Sequence, residues 1–298
     1  MTIALFPGQG VQAPGMDAGL TEIAADVFAA ASAVFGLDIG ELCREGRTAG
    51  ASLDSTLWAQ PAVLTCGVAA FEALRRQGLA FTAVAGHSVG EYAALVCGGA
   101  LELSDALRLM ALRAQATEDA SRINPCGMLA VMRIDRAIVE QICASVGVSL
   151  AADNSSGQLV LSGPREALDA ARSAAEEQGA TCRSLDVAGA FHSPAMEPAA
   201  APLTEALGAV TFADPRIEVW SPTTVGVLRD SASIDRVLID QLTTTVRFRE
   251  TVEAVASEHG TSFTDIGPGR VVGGLAKRIV KGAEIAFAAD LLLTSVPS

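Results

Sequence analysis

The sequence is poor in lysine and in charged residues as a whole. Only two lysines occur, Lys277 and Lys281, against 34 acidic residues, and the formal net charge is -13. Nucleic acids and anionic membranes attract basic surfaces, so this balance argues against both as partners. Charged residues make up 18% of the chain and hydrophobic residues 50%, which excludes a disordered or fibrous protein.

Long hydrophobic runs and a basic N-terminal leader are missing as well. Residues Met1–Phe6 carry no positive side chain and run directly into Pro7 and Gly8. No uninterrupted apolar stretch approaches the length of a membrane span. We therefore expect a cytosolic protein with no signal peptide and no membrane association.

Cysteine is present but never in a C-x-x-C pair. We interpret the six cysteines as small buried thiols, with no disulfide and no metal site expected, because they lie in mostly apolar surroundings. They are Cys43, Cys66, Cys97, Cys126, Cys143 and Cys182.

The stretch 85–91 has the form G-x-S-x-G and follows a short apolar run, Phe81–Val84. Such a pentapeptide between a strand and a helix forms a cramped turn that lifts a serine hydroxyl above the sheet. Residues 91–97 continue as a plausible helix that Gly98 and Gly99 end. Ser88 is therefore a candidate nucleophile; the alternative is a glycine-rich turn with an incidental serine.

Strands and helices alternate along most of the 298 residues, which predicts an α/β fold. Thr2–Phe6 is predicted as a buried strand, and the loop after it places Gln9 between two glycines, where a backbone can approach a ligand. Helices are predicted over 21–35, over 61–77 and over 104–120, the last with Ser104 as its N-cap.

The order of the predicted elements changes between Asn124 and Val187. Strands at 128–134, 148–152, 158–162 and 181–187 and helices at 136–146 and 164–178 give the order βαββαβ, which is the ferredoxin-like pattern. We predict a ferredoxin-like subdomain over 126–188, inserted into a catalytic core made of 1–125 and 189–298. Further strands are predicted at 217–220 and 262–266, with a helix ending near Ser257 between them.

A serine nucleophile needs a base, and the chain has three histidines. His87 is adjacent to Ser88 and would normally point away from it, and His259 is predicted at the exposed end of a helix. His192 lies in a loop bounded by glycine and proline where the two predicted domains meet, so it is the base we favour. A histidine that merely caps the loop is the alternative.

Arg113 lies on a helix that is partly buried, as its run 109–112 indicates. An arginine there either reaches solvent or pairs with an anion. The sequence by itself favours the solvated arginine.

Nine motifs occur in the order and at the spacing found in the malonyl-CoA:acyl carrier protein transacylases, which this chain resembles over almost its entire length. They are Phe6-Pro7-Gly8-Gln9-Gly10-x-Gln12, Gln60-Pro61-Ala62, Gly86-His87-Ser88-x-Gly90-Glu91, Leu112-Arg113, Gly127-Met128, Asn154-Ser155, Gly189-Ala190-Phe191-His192-Ser193, Gln241-Leu242 and Gly267-Pro268-Gly269-Arg270. The resemblance implies an α/β-hydrolase-like core with a mainly parallel sheet and a ferredoxin-like insertion.

The resemblance also implies roles for individual residues. Ser88 would accept the acyl group, His192 would be its base, and the backbone N–H groups of Gln9 and Val89 would form the oxyanion hole. Arg113 would bind the free carboxylate of malonyl. This role requires a buried arginine, whereas the helix pattern by itself favours a solvent-exposed one. A backbone carbonyl near Gln241 would orient the histidine, and no acidic third member is implied. Substrate contacts are also implied for Gln9, Gln241, Asn154 and Phe191, the last resembling the pattern of malonyl-selective members.

The implied activity is transfer of malonyl from malonyl-CoA to the phosphopantetheine thiol of an acyl carrier protein, with coenzyme A thioester as substrate and no bound cofactor. The alternatives are an acyl hydrolase that uses the same serine and histidine, an acyltransferase with another acyl group, and a noncatalytic docking protein. Fatty acid synthesis, polyketide synthesis and malonate decarboxylase loading all remain open as pathways, although His87 counts against the last. We expect a monomer.

Carrier proteins of this kind are acidic, so a chain of charge -13 needs a local basic surface to receive one. The segment that holds Arg270, Lys277, Arg278 and Lys281 is the one candidate in the sequence. Its alternative is a solvated helix end, where basic residues are favoured by the helix dipole.

Overall fold

The computed structural model describes residues 1–123 and 126–293. Within these residues the strands, in chain order, are β1 (Thr2–Phe6), β2 (Arg47–Thr48), β3 (Ala51–Ser52), β4 (Phe81–Gly86), β5 (Cys126–Met132), β6 (Ser149–Ser155), β7 (Gln158–Pro164), β8 (Thr181–Leu185), β9 (Glu218–Ser221), β10 (Gly226–Leu228), β11 (Ser262–Asp265) and β12 (Glu284–Phe287).

The α-helices are α1 (Leu20–Ile23), α2 (Ala25–Phe35), α3 (Ile39–Glu45), α4 (Thr56–Arg76), α5 (Val89–Gly98), α6 (Leu103–Ile123), α7 (Arg136–Val146), α8 (Arg165–Glu177), α9 (Ala200–Leu207), α10 (Ile234–Asp240), α11 (Phe248–His259), α12 (Val271–Ile279) and α13 (Ala288–Leu293). Two short 3-10 helices, Pro194–Ala199 and Ser231–Ser233, precede α9 and α10.

A six-stranded sheet in the order β10-β9-β4-β1-β11-β12 forms the centre of the fold. All neighbouring pairs are parallel except β9 with β10. Every residue of β1 is buried, as expected for a parallel strand that helices cover on both faces. The predicted α/β class with a mainly parallel sheet is confirmed. The carboxyl ends of β1 and β4 lie side by side, which brings the loops after Phe6 and Gly86 together.

A second sheet, in the order β6-β7-β5-β8, is antiparallel throughout. With α7 and α8 it reproduces the predicted βαββαβ order, and both helices pack on a hydrophobic cluster of its own around Val131, Val139 and Leu161. The division of the chain at 125/126 and 188/189 stays a prediction, and residues 124–125 lie outside the described residues.

Several element boundaries differ from the sequence-based expectations. The first predicted helix is split into α1 and α2 at Ala24, and α4 begins five residues before Pro61, where the Ser55 hydroxyl caps it by accepting from the Leu57 N–H. Ser104 is inside α6 rather than its N-cap. The Ser55 hydroxyl satisfies a first-turn N–H group of α4, which marks the start of the helix, and Pro61 lies inside it.

Helix α4 is long and apolar enough to cross a membrane by length and composition, although polar residues interrupt its apolar stretch. However, 83% of its apolar window is buried inside the protein. It packs against α5 and α6 as a core helix of the fold.

The predicted burial of the cysteines is confirmed for all but Cys182. Five of the six thiols are buried and Cys182 is half-buried, and all six are free. Burial raises the pKa of Cys97 and Cys143, which keeps these thiols protonated and unreactive.

A cluster of ion pairs joins β6 and α7 to α11. Asp153, whose side chain is 1% exposed, accepts from Arg136 at 3.0 Å and from Arg249 at 2.8 Å. Arg136 also donates to Glu250 at 2.9 Å. Beside the cluster, the Asp153 N–H donates to the Val246 carbonyl oxygen at 2.9 Å, which adds a backbone connection between β6 and the segment that leads into α11.

Replacing Asp153 with alanine should lower the free energy of unfolding by about 3 kcal/mol, because it removes the buried partner that two arginines share. Urea denaturation of the purified variant would measure this. Glu140→Ala is the matched control, since Glu140 pairs with the same Arg136 from an exposed position and exposed pairs contribute about 1 kcal/mol or less. Equal losses in both variants would show that Asp153 contributes no more than a surface pair.

Candidate active site

Ser88 lies in a sharp turn between β4 and α5. Its backbone has φ 53° and ψ -111°, a conformation that non-glycine residues rarely adopt and that is typical of functional sites. A Cβ on Gly86 would lie 2.0 Å from the Gly90 carbonyl group, and one on Gly90 would lie 2.3 Å from the Phe6 oxygen. Both glycines are therefore required by the close packing of the turn.

His192 contacts Ser88 directly. The Ser88 Oγ and His192 Nε2 atoms are 2.8 Å apart, and His192 Nδ1 is 2.8 Å from the Gln241 carbonyl oxygen. Because a carbonyl oxygen can only accept, Nδ1 carries the proton and Nε2 presents its lone pair to the serine hydroxyl. The histidine is thus held in the tautomer that can take a proton from Ser88.

Burial and the nearby Arg113 charge lower the pKa of His192 to about 3. The imidazole is therefore neutral throughout the neutral pH range. A neutral imidazole bonded to a hydroxyl is the arrangement that activates a serine nucleophile.

Arg113, on α6, is 3% exposed and lies beside the serine. One of its terminal nitrogens is 3.4 Å from Ser88 Oγ and 3.0 Å from Gln241 Oε1, and the other donates to Gln60 Oε1 at 2.6 Å. The solvated arginine favoured by the sequence alone is therefore wrong. The helix pattern could not show this, because it does not tell which face of α6 meets the serine.

The Arg113 guanidinium has no anionic partner within salt-bridge distance in the part of the chain that the structure describes. Its Nε has no hydrogen-bond partner there either. The Tyr92 ring lies 5.7 Å from the guanidinium carbon, within the range of a cation-π contact. The hydrogen-bond partners of the guanidinium are all neutral, and the Glu91 carboxylate acts on it only from beyond salt-bridge distance, so a carboxylate ligand would supply a direct ion pair.

Two polar residues of this site were missed as site residues in the sequence. Gln60, on α4, bonds Arg113 and also donates to Thr117 at 3.2 Å. Glu91, on α5, is fully buried and accepts from the Gln241 side chain. The sequence did contain a signal for them, namely a glutamine and a glutamate within mostly apolar helices. Polar side chains are buried in such helices only when hydrogen-bond partners satisfy them.

The loop that carries Gln9 contacts the turn that leads into Val89. The His87 N–H donates to the Phe6 carbonyl at 2.8 Å, and a Cβ on Gly8 would lie 2.6 Å from the His87 carbonyl oxygen. Val89 is the first residue of α5, where a backbone N–H has no partner within the helix. The Gln9 side chain is fixed by donation to Thr56 at 3.2 Å.

The second sheet reaches this site through Asn154. His87 Nε2 and Asn154 Oδ1 are 2.8 Å apart, so the His87 ring is directed to β6 and its Nε2 is engaged there. Burial lowers the pKa of His87. Phe191, half-buried, packs against both hydrophobic clusters that flank the central sheet.

His259 is half-buried rather than exposed as expected, and its Nε2 lies 2.9 Å from Glu218. It lies at the amino end of β9, opposite the sheet edge that carries Ser88, because β9 and β4 are parallel. His259, Glu218 and Glu258 each have a potential metal-ligand atom, and these atoms lie within 4.8 Å of one another.

The chain matches the acyl transferase domain family over residues 4–288. It is 36% identical over 288 residues to the malonyl CoA-acyl carrier protein transacylase of Salmonella typhimurium, with 93% of this chain and 92% of that protein covered. A solved malonyl CoA-acyl carrier protein transacylase from Coxiella burnetii superposes with a TM-score of 0.94 at 34% identity, covering 99% and 97% of the two chains.

A further solved structure is a malonyl-transacylase in complex with a type II PKS acyl-carrier protein. It superposes with a TM-score of 0.92 at 33% identity, and 99% of this chain and 100% of that chain are covered. The match thus extends over nearly the whole of each protein. The chain therefore belongs to the malonyl-CoA:acyl carrier protein transacylase family.

Proposed function

We propose that this protein transfers a malonyl group from malonyl-CoA to the phosphopantetheine thiol of an acyl carrier protein. Family membership supports the reaction class, and the buried Arg113 beside Ser88, which has no ion-pair partner among the described residues, is the observation in this chain that supports malonyl as the acyl group. A planar guanidinium binds a carboxylate through two parallel hydrogen bonds, and a neutral acyl chain offers no such partner.

The reaction begins when the Ser88 oxygen attacks the thioester carbonyl while its proton passes to His192 Nε2. The carbonyl oxygen becomes an oxyanion, which the N–H groups of Gln9 and Val89 would stabilise. Collapse of the tetrahedral intermediate breaks the carbon–sulfur bond, and the proton on His192 goes to the departing coenzyme A thiolate. Malonyl-Ser88 remains.

The second half reverses these steps with another thiol. His192 takes the proton of the phosphopantetheine thiol, the sulfur attacks the acyl-serine, and His192 then returns a proton to Ser88. The imidazole needs only a fixed acceptor at Nδ1, which the Gln241 carbonyl oxygen supplies, so no acidic third residue is required. We propose that the chemistry needs no bound cofactor or metal.

The side chains of Asn154, Gln241, Gln9 and Phe191 are proposed to shape the substrate site around Ser88. Gln241 and Asn154 are both buried and hydrogen-bonded, which fits them to hold fixed positions.

An acyl hydrolase with the same serine and histidine is the second candidate. Arg113 favours the transferase, because a general hydrolase has no use for a buried cation. We also propose a cytoplasmic monomer, with fatty acid or polyketide synthesis as its pathway.

The experiment that tests this function is intact mass spectrometry after mixing the protein with malonyl-CoA and, separately, with acetyl-CoA. The expected result is a malonyl adduct that peptide mapping places on Ser88, formed much faster than the acetyl adduct. Equal labelling by both thioesters, or no adduct, would overturn the proposal.

We propose that the carrier protein docks near α12. Lys277, Arg278 and Lys281 are exposed, while Arg270 pairs with Asp290 at 2.6 Å and stacks on Phe287. The turn before α12 lies against the active-site loop, since a Cβ on Gly267 would meet Pro7 at 2.4 Å. The basic residues follow at the far end of α12, toward the amino ends of β11 and β12, so a carrier held there would have to extend its phosphopantetheine arm along the helix to reach the loop of Gln9.

Reversing Lys277 and Arg278 to glutamate should raise the KM for the carrier and weaken its salt dependence, with acylation by malonyl-CoA unchanged. Only charges near the contact act, because the Debye length is roughly 8 Å at physiological salt. Steady-state transfer at several salt concentrations measures this. Arg75→Glu with Arg76→Glu, an equal charge change at the exposed end of α4, is the control. Equal effects of the two pairs would place the docking surface elsewhere.

A further inference from the structure

Glu91 is a buried carboxyl group that the proposed reaction does not use. It lies on the first turn of α5, three residues after Ser88, and none of its surface is exposed. Burial raises the pKa of Glu91 to about 7. A carboxyl group in such a place requires partners that compensate for its removal from water.

The Glu91 carboxylate contacts the side-chain amide of Gln241. Gln241 Nε2 donates to Glu91 Oε2, and the same nitrogen donates to the Ser88 carbonyl oxygen at 3.2 Å. A carboxylate and a backbone carbonyl can only accept hydrogen bonds. Both therefore require the NH₂ group of Gln241 on their side, which leaves Oε1 on the opposite side.

Gln241 Oε1 accepts from Arg113 at 3.0 Å. If the amide were flipped, its NH₂ group would face the guanidinium, donor against donor, and its oxygen would face the Glu91 carboxylate. Arg113 would then lose one of its two amide partners, leaving Gln60. The position of the guanidinium beside Ser88 thus depends on which way the Gln241 amide is turned.

We propose that Glu91 is a positioning residue for Arg113: its carboxylate fixes the Gln241 amide in the orientation that presents Oε1 to the guanidinium. The consequence for malonyl selectivity rests on the function proposed above. The orientation itself does not, because it follows from the hydrogen-bonding capacities of the groups involved.

The carboxylate is the form that fixes the amide. The groups that face it are the Arg113 guanidinium from α6, the Tyr92 phenol beside it on α5, the hydroxyl of Ser221 at the end of β9, the hydroxyl of Thr223 after β9, and Gln241 after α10. A protonated carboxyl group accepts more weakly and can itself donate, so it no longer favours one orientation of the amide and leaves the Ser88 carbonyl oxygen as the acceptor that does. Selectivity should therefore be highest well above pH 7 and decline as the pH falls through about 7.

The first test is Glu91→Gln, which has the shape of the protonated acid. We expect the ratio of kcat/KM for malonyl-CoA to that for acetyl-CoA to fall by roughly tenfold at pH 8, as for loss of one hydrogen bond to a charged group. The wild-type ratio should change near pH 7 and the variant ratio should not. His192 adds no change in this range, since its pKa is about 3. An unchanged ratio, or a variant that keeps the pH dependence, would overturn the proposal.

Two further variants separate positioning from general damage. Thr223→Val removes the hydroxyl that donates to Glu91 Oε2 at 3.5 Å and leaves the Gln241 contact in place, so its ratio should match that of the wild type. In a Gln241→Ala background, Glu91→Gln should change the ratio no further. A full additional loss in that background would mean that Glu91 acts by another route.

The second test does not depend on any substrate. In protein labelled with ¹⁵N-glutamine, the Gln241 side-chain NH₂ resonance, assigned by its absence in Gln241→Ala, should titrate with a midpoint near pH 7. It should not titrate in Glu91→Gln. A wild-type resonance that stays constant from pH 5 to 9 would refute the positioning role even if malonyl transfer is established. A titrating resonance in a protein that transfers no malonyl would uphold the role and reject the proposed function.

Discussion

Replacing His192 with alanine should slow acylation of Ser88 by roughly 10⁴- to 10⁶-fold, as for removal of the base from other serine nucleophiles. The reason is local: the ring is 2.8 Å from the hydroxyl, its tautomer is fixed by Gln241, and it is neutral at the pH of the reaction. Single-turnover mass spectrometry with malonyl-CoA measures the rate. Ser88→Ala should give no adduct at all.

His259→Ala is the matched control for this prediction. His259 lies at the opposite edge of the sheet and pairs with Glu218, so its removal should leave the acylation rate unchanged. An acylation rate near that of the wild type in His192→Ala would mean that another base serves Ser88. Persistent labelling of Ser88→Ala would show that the acyl group resides on a different residue.

Replacing Arg113 with alanine should affect the reactions with malonyl-CoA and acetyl-CoA differently. The variant loses the buried cation next to Ser88 and leaves a cavity with no counter-ion for a carboxylate, so malonyl transfer should fall steeply while acetyl transfer is spared or improved. The expected change in relative kcat/KM corresponds to about 2–5 kcal/mol if the pair with the substrate carboxylate is desolvated. Parallel assays with malonyl-CoA and acetyl-CoA give this ratio.

Arg108→Ala serves as the control on the same helix. Arg108 is exposed and pairs with Asp105 at 2.6 Å, away from the serine, so neither substrate should be affected. Equal losses with both substrates in Arg113→Ala would show that Arg113 supports the fold and does not select the substrate.

The sequence predicts the parts of this protein that local patterns determine. The turn at Ser88 is one, because two glycines around a serine between a strand and a helix leave few other conformations. The βαββαβ order is another, since each element has its own periodicity. The α/β class follows from the alternation of strands and helices.

Contacts between distant elements could not be predicted in this way. Arg113 was assigned to solvent by its helix pattern, and only the resemblance to a family suggested a buried position. Gln60 and Glu91 gave no local sign of their partners, because Arg113 and Gln241 lie far from them in the chain. The start of α4 was misplaced at Pro61 because the hydroxyl cap at Ser55 competes with the proline signal.

The central claim is that malonyl-Ser88 is an intermediate in transfer to a carrier thiol. The most direct measurement is to isolate the malonyl-enzyme, add carrier protein bearing phosphopantetheine, and follow by mass spectrometry where the malonyl group goes. The predicted result is rapid appearance of malonyl-carrier, much faster than loss of the adduct to water. If the adduct decays at the same rate with and without the carrier, and the product is free malonate, the protein is a hydrolase and the claim is wrong.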